Sequence, residues 1–263
     1  MIVPSDAFTL IRREFDQQTE VAALFGSYDD NPGCTDFFSS FKNLFHHHVH
    51  QTSLAEAVTF WSGCGAIRRA AFEAVGGFNA ALYPEPSIED IELGFRLTQQ
   101  QQRVRLVKDL QVQHLKKWTL TALLRADIFQ RAVPWTQLIS RTGYLPCALN
   151  LAWEARLSAG LVALAALLAT GLAAALIDIV RWFSGEIAAV LLLVAATLLF
   201  LNRELYVFFW RKRGPIFALG AILAHWVYFF YSGATFLFCS AAELLRPATD
   251  SLVANPQFPP DAD

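Results

Sequence analysis

The stretch Pro86-Ser-Ile-Glu-Asp-Ile-Glu-Leu-Gly-Phe-Arg-Leu97 carries the side chains best suited to acid–base chemistry. Read as a helix, it puts Glu89, Glu92 and Arg96 on one charged stripe and sets Asp90 apart, beside Gly94 and Leu97. A carboxylate held at a helix start and off the solvated stripe has the placement of a general base, a group that accepts a proton from a reacting hydroxyl. A structural reading is also open. Ser87 could cap the helix and Asp90 complete a variant capping box, with Glu89 and Asp90 both favoured near the positive helix end.

Two further segments are rich in residues that handle ligands. In Phe60-Trp-Ser-Gly-Cys-Gly-Ala-Ile-Arg-Arg69, Gly63 and Gly65 lie between Trp61 and the pair Arg68 and Arg69, as in a loop whose backbone approaches a ligand closely. Phe129-Gln-Arg-Ala-Val-Pro-Trp-Thr136 ends a helix with Gln130, Arg131 and Trp135. An arginine there could hold a diphosphate and the aromatic could stack on a sugar, although Trp135 would equally serve as an anchor at a membrane surface. His46 and His50 stand one helical turn apart, a spacing that can chelate a metal, but no carboxylate or cysteine nearby completes a set, so a polar helix face is expected. Asp29 and Asp30 precede Asn31-Pro32-Gly33 and read as turn chemistry.

The elements that must position these groups form a mixed α/β pattern up to about Gly143. A strand is expected at 21–28, a helix from an Asp36 cap to about 51, a strand and loop at 58–67, and a short helix at 69–75 stopped by Gly76 and Gly77. A helix at 88–99, strands at 104–107 and 111–115, and a helix at 120–131 follow. After Asn150 the chain turns apolar. Runs at 158–180, 186–202 and 215–238 are expected to span a bilayer, with 203–213 at the headgroup level.

An apolar fraction of 54% over 263 residues is too high for an ordinary soluble domain. The formal net charge of -2 supplies no basic field for nucleic acid, which is excluded as a partner. Cys34, Cys64, Cys147 and Cys239 are scattered, which indicates neither a zinc site nor a disulfide framework and suits a reducing, cytosolic setting. The first residues lack a basic region followed by an apolar core, so no cleavable signal peptide is expected. Arg203, Arg211, Lys212 and Arg213 between the second and third spans, against Arg181 alone between the first and second, point that loop and the α/β part toward the cytosol.

In chain order, Gly26-Ser-Tyr-Asp-Asp30, Lys42-Asn-Leu44, the 60–69 loop, Gly76-Gly-Phe78, Ser87-Ile-Glu-Asp-Ile-Glu-Leu-Gly94, His114-Leu-Lys116 and Arg131-Ala-Val-Pro-Trp-Thr136 resemble membrane-bound family 2 glycosyltransferases of the GT-A fold. The resemblance implies an α/β, partial GT-A-like (nucleotide-diphospho-sugar transferase) domain over 1–149, an all-α membrane region of about three helices over 150–246, and a tail at 247–263. It implies an inverting, hexosyltransferase-like enzyme of the plasma or inner membrane that takes a nucleotide-sugar donor and a lipid or glycan acceptor. Asp90 would be the base and Glu89 would shape the acceptor site. Trp61, Gly63, Gly65, Arg68 and Arg69 would line the cleft. Gln130, Arg131 and Trp135 look like a relaxed form of the Q-x-x-R-W signature of processive members, at a different spacing. His114 falls where some members place a metal or diphosphate contact.

The family's D-x-D motif, which holds Mg²⁺ or Mn²⁺, comes just before the stretch resembling residues 2–8, so the main metal ligands are expected outside this chain. A truncated, non-catalytic membrane scaffold is the alternative expectation. A small transporter built on the spans would rely on Asp178 and His225.

Overall fold

A computed structural model describes residues 1–147, 149–176 and 184–245. The chain divides into two compact units, one built on Met1–Asn150 and the other on Leu151–Leu237.

The first unit is organised around one strand. β1 (Val21–Tyr28) is buried at every position, because it lies inside the sheet and is covered on both faces. It pairs in parallel with β4 (Arg103–Val112) and antiparallel with β3 (Gly65–Ile67), while β2 (Glu56–Ala57) pairs antiparallel with β4, giving the order β2-β4-β1-β3. Ala23 and Phe25 pack with Leu93 and Leu97 of α4 (Glu89–Gln99) and Ala71 of α3 (Arg69–Ala74). Leu24 packs instead with Ala7, Ile11 and Phe15 of α1 (Ala7–Gln17), a helix the sequence pattern did not indicate.

Three expected elements take a different form. The two strands expected at 104–107 and 111–115 are one strand, β4, whose register against β1 slips between Phe25 and Ser27. At that slip Gly26 faces Leu110 so closely that a Cβ would overlap the Leu110 carbonyl, which is why glycine stands there. The strand expected from 58 onward is confined to β3, while the short β2 just upstream pairs with β4 at the opposite edge of the sheet. The helix expected at 120–131 stops as α5 (Leu120–Asp127), widens into one π turn (Ile128–Ala132), and continues as α6 (Val133–Thr142). By contrast α2 (Phe37–Thr52) begins where expected, with Asp36 accepting the Ser39 N–H at 3.2 Å.

The second unit is helical. α7 (Trp153–Leu176), α8 (Ser184–Leu201) and α9 (Arg203–Leu244) are each long and apolar enough to cross a membrane. Val162, Val194, Leu198 and Phe229 form its buried centre, and Asn202 Nδ2 donates to Ser158 Oγ at 3.0 Å. Outward-facing Leu167, Leu192 and Leu193 are largely exposed, an arrangement that suits lipid rather than water. α9 breaks at Gly214, whose φ of 82° lies in the left-handed region, immediately before Pro215. The segment expected at the headgroup level is therefore helical and separated by that kink from the apolar run. Residues 177–183, which include Asp178 and Arg181, and the tail from 246 lie outside the described residues.

Candidate active site

Asp90 sits in the first turn of α4, but the start of that helix is not capped as expected. Ile88 occupies the N-cap position, fully buried with Phe95 and Leu138. The Ser87 hydroxyl turns away and donates to the Gln130 carbonyl at 2.9 Å, while the Ser87 N–H donates to Glu89 Oε2 at 2.7 Å. A buried apolar anchor and a tether to the π turn fix the helix entry, so Asp90 is not consumed as a cap.

Asp90 instead faces the 60–69 loop. Ser62 donates to Asp90 Oδ2 twice, from its backbone N–H and from its hydroxyl, each at 2.9 Å. Asp90 Oδ1 accepts the Ile91 N–H at 2.8 Å. Three glycines make this approach possible. At Gly94 a Cβ would lie 2.6 Å from Thr59 Cα, so α4 packs backbone to backbone against the chain entering the loop. At Gly63 it would overlap the Trp61 indole, and at Gly65 it would lie 2.7 Å from the Trp61 carbonyl oxygen. The loop thus turns tightly through a short 3-10 segment, Ser62–Cys64, whose leading N–H has no partner within the turn and is available to Asp90.

Burial pushes the Asp90 carboxyl above the usual carboxylate range. The two Ser62 donors pull it back, and the neighbouring Glu89 raises it further.

Tyr28, at the end of β1, joins this pair to an aromatic and basic wall. Its ring meets Trp61 edge-on at 4.9 Å and lies over His114 at 4.4 Å. Burial raises the Tyr28 hydroxyl, the charge of Arg131 lowers it, and that of Asp90 raises it, which places all three groups within one electrostatic neighbourhood. Arg131 leaves the π turn and donates from Nη1 to His46 Nε2 at 3.0 Å. A guanidinium only donates, so His46 is neutral and accepts there. Burial keeps His46 well below its ordinary value, helped by Lys42 and Arg131. Behind them Lys42 and Asp127, 5% and 4% exposed, form an ion pair at 2.5 Å, and Arg131 lies 3.9 Å from the same carboxylate.

The polar side of α2 is therefore not a solvated face. Lys42, Asn43, His47 and His50 are buried beneath β1 and the π turn.

The remaining candidates are placed differently. Arg68 donates to the carbonyls of Val21 and Phe15, both at 2.8 Å, and lies over the Phe15 ring, bracing β1 against α1 away from Asp90. Arg69 is exposed at the start of α3. The Gln130 side chain is exposed, and its backbone carbonyl holds Ser87. Trp135 packs in the cluster of Ile88, Phe95 and Ile91, next to the turn bearing Asp90, and its buried Nε1 has no hydrogen-bond partner among the described residues. Burial holds His114 down at about 4, with Lys116 adding to the effect, so it is neutral near pH 7.

Sequence reasoning did not single out Ser62, Tyr28 or Asp127. Asp127 had one local sign, its position four residues before Arg131.

The donors near Asp90 do not compose a divalent-cation site. Among the described residues no group of three or more His, Cys, Asp or Glu is arranged to hold a metal. Asp29 Oδ1 accepts the Asn31 N–H at 3.1 Å in a local turn, and His46 Nε2 is engaged by Arg131.

A family model described as "Glycosyl transferase family group 2" matches residues 2–238. No curated protein and no solved structure matches the chain.

Proposed function

The chain belongs to the family 2 glycosyltransferases, and from that premise we propose that it transfers a sugar from a nucleotide-sugar donor to a membrane-associated lipid or glycan acceptor with inversion, using Asp90 as general base. In this reaction the acceptor hydroxyl oxygen attacks the anomeric carbon. Asp90 takes the hydroxyl proton, and the nucleoside diphosphate departs with the bonding electron pair. A single displacement inverts the centre. The observation that carries the proposal is Asp90, oriented by two donors from Ser62 in the loop that bears Trp61, its charge felt at Tyr28, which also meets the Trp61 ring and feels the charge of Arg131.

Trp61 offers a flat apolar face for a sugar ring, and the Arg131 guanidinium, partly exposed, offers charge to the leaving diphosphate. Glu89, next to Asp90 in the first turn of α4, is assigned to shape the acceptor side. Mg²⁺ or Mn²⁺, when bound, would neutralise the departing diphosphate. Its D-x-D ligands are what the family resemblance calls for. Residues 1–149 are assigned to the transferase part and 150–246 to the membrane region. The basic cluster Arg203, Arg211, Lys212 and Arg213 supports a cytosolic catalytic side in the plasma or inner membrane.

The test uses membranes carrying the full-length protein, supplied with labelled UDP-glucose, UDP-N-acetylglucosamine and GDP-mannose in turn. Asp90→Asn should reduce sugar incorporation by about 10²-fold or more. Undiminished incorporation would overturn the assignment.

A further inference from the structure

Both donors to Asp90 Oδ2 come from one residue. An ionised carboxylate offers about four acceptor positions. Ser62 takes both on Oδ2, through its N–H and its hydroxyl at 2.9 Å each, and the Ile91 N–H takes one on Oδ1 at 2.8 Å. One position stays open, and it is on Oδ1. We propose that Ser62 is a positioning residue for proton transfer: by clamping Oδ2 it leaves Asp90 Oδ1 as the oxygen that receives the acceptor's proton. This inference rests on the reading of Asp90 as the base.

A folding role does not account for the Ser62 hydroxyl. The entry of α4 is already fixed by buried Ile88 and by Ser87 bonded to Gln130, and the 60–69 loop is shaped by the close approaches at Gly63, Gly65 and Gly94. Ser62 itself is exposed, so packing does not hold its hydroxyl in place. What that bond adds is the orientation of the carboxylate and a preference for its charged form. Glu89, on its own helix, acts on the Asp90 carboxyl, and the Asp90 charge acts in turn, against that of Arg131, on Tyr28 of β1.

The experiment measures kcat, KM and the pH profile of sugar incorporation by the full-length protein in membranes, with the donor from the same panel that gives signal. Ser62→Ala removes one donor and keeps the backbone one. It should lower kcat about tenfold, leave the donor KM within about twofold, and move the acidic limb of the profile up by about one pH unit, because a lost hydrogen bond to the charged form makes Asp90 harder to ionise. Ser62→Thr, which restores the hydroxyl, should recover both kcat and the acidic limb. A Ser62→Ala enzyme with unaltered kcat and pH profile would sink the clamp, as would a Ser62→Thr enzyme no better than Ser62→Ala. Asp90→Asn, run alongside, separates the two ideas. Full activity in that variant overturns the base itself, whereas an inactive Asp90→Asn beside an unaltered Ser62→Ala overturns the clamp alone.

Discussion

A carboxylate that serves as a base must be ionised, and at Asp90 burial opposes ionisation while Ser62 favours it. The net result is a folded-state value above the ordinary one. Folded protein therefore holds this proton more tightly than unfolded chain, and the ionised group costs stability once pH rises through the raised value. At neutral pH Asp90→Asn should melt at the same temperature as the parent protein or higher, even as transfer is lost. Thermal unfolding in detergent at pH 7 checks this, and a clearly lower midpoint would mean that Asp90 stabilises the fold. Such opposition between stability and activity is expected where a charge is buried for chemistry.

At the scale of elements, α2 and the π turn form one electrostatic unit. Lys42 is pushed down to about 8 by burial, against the pull of Asp127, so the pair survives because each member compensates the other's lost hydration. Removing one partner should be far worse than removing both. Asp127→Asn alone should cost about 3–5 kcal/mol of stability, whereas Lys42→Met combined with Asp127→Leu should cost much less, since the buried ammonium goes with its partner and the Arg131 charge stays partly hydrated. A denaturant series on the two variants measures the difference. The single change should also loosen Arg131, which shares the Asp127 carboxylate.

For the whole molecule, the decisive feature is the apolar length of α7, α8 and α9. The polar break between α8 and the apolar run of α9 carries Arg203, Arg211, Lys212 and Arg213, which favours retention on the cytosolic side. In a variant with Cys34, Cys64, Cys147 and Cys239 replaced, a cysteine placed at Lys212 should react with a membrane-impermeant thiol reagent in inside-out vesicles and not in intact cells. Labelling in intact cells would reverse the assigned orientation.

The sequence by itself determined what depends on neighbours along the chain. The burial of β1 follows from its apolar run, the start of α2 from Asp36, the three long helices from their unbroken hydropathy, and the separation of Asp90 from its charged stripe from helical periodicity. Each is set by spacings of a few residues.

Only the tertiary structure decided which distant groups meet. Ser62 and Asp90 are 28 positions apart, and Lys42 and Asp127 are 85 apart. Neither pairing leaves a mark in local periodicity. The polar side of α2 reads as solvated until β1 and the π turn are laid over it, and Arg68 reads as a ligand contact until the Val21 and Phe15 carbonyls claim it. Buried polar groups must find hydrogen-bonding partners, and long-range packing alone determines which partners are within reach.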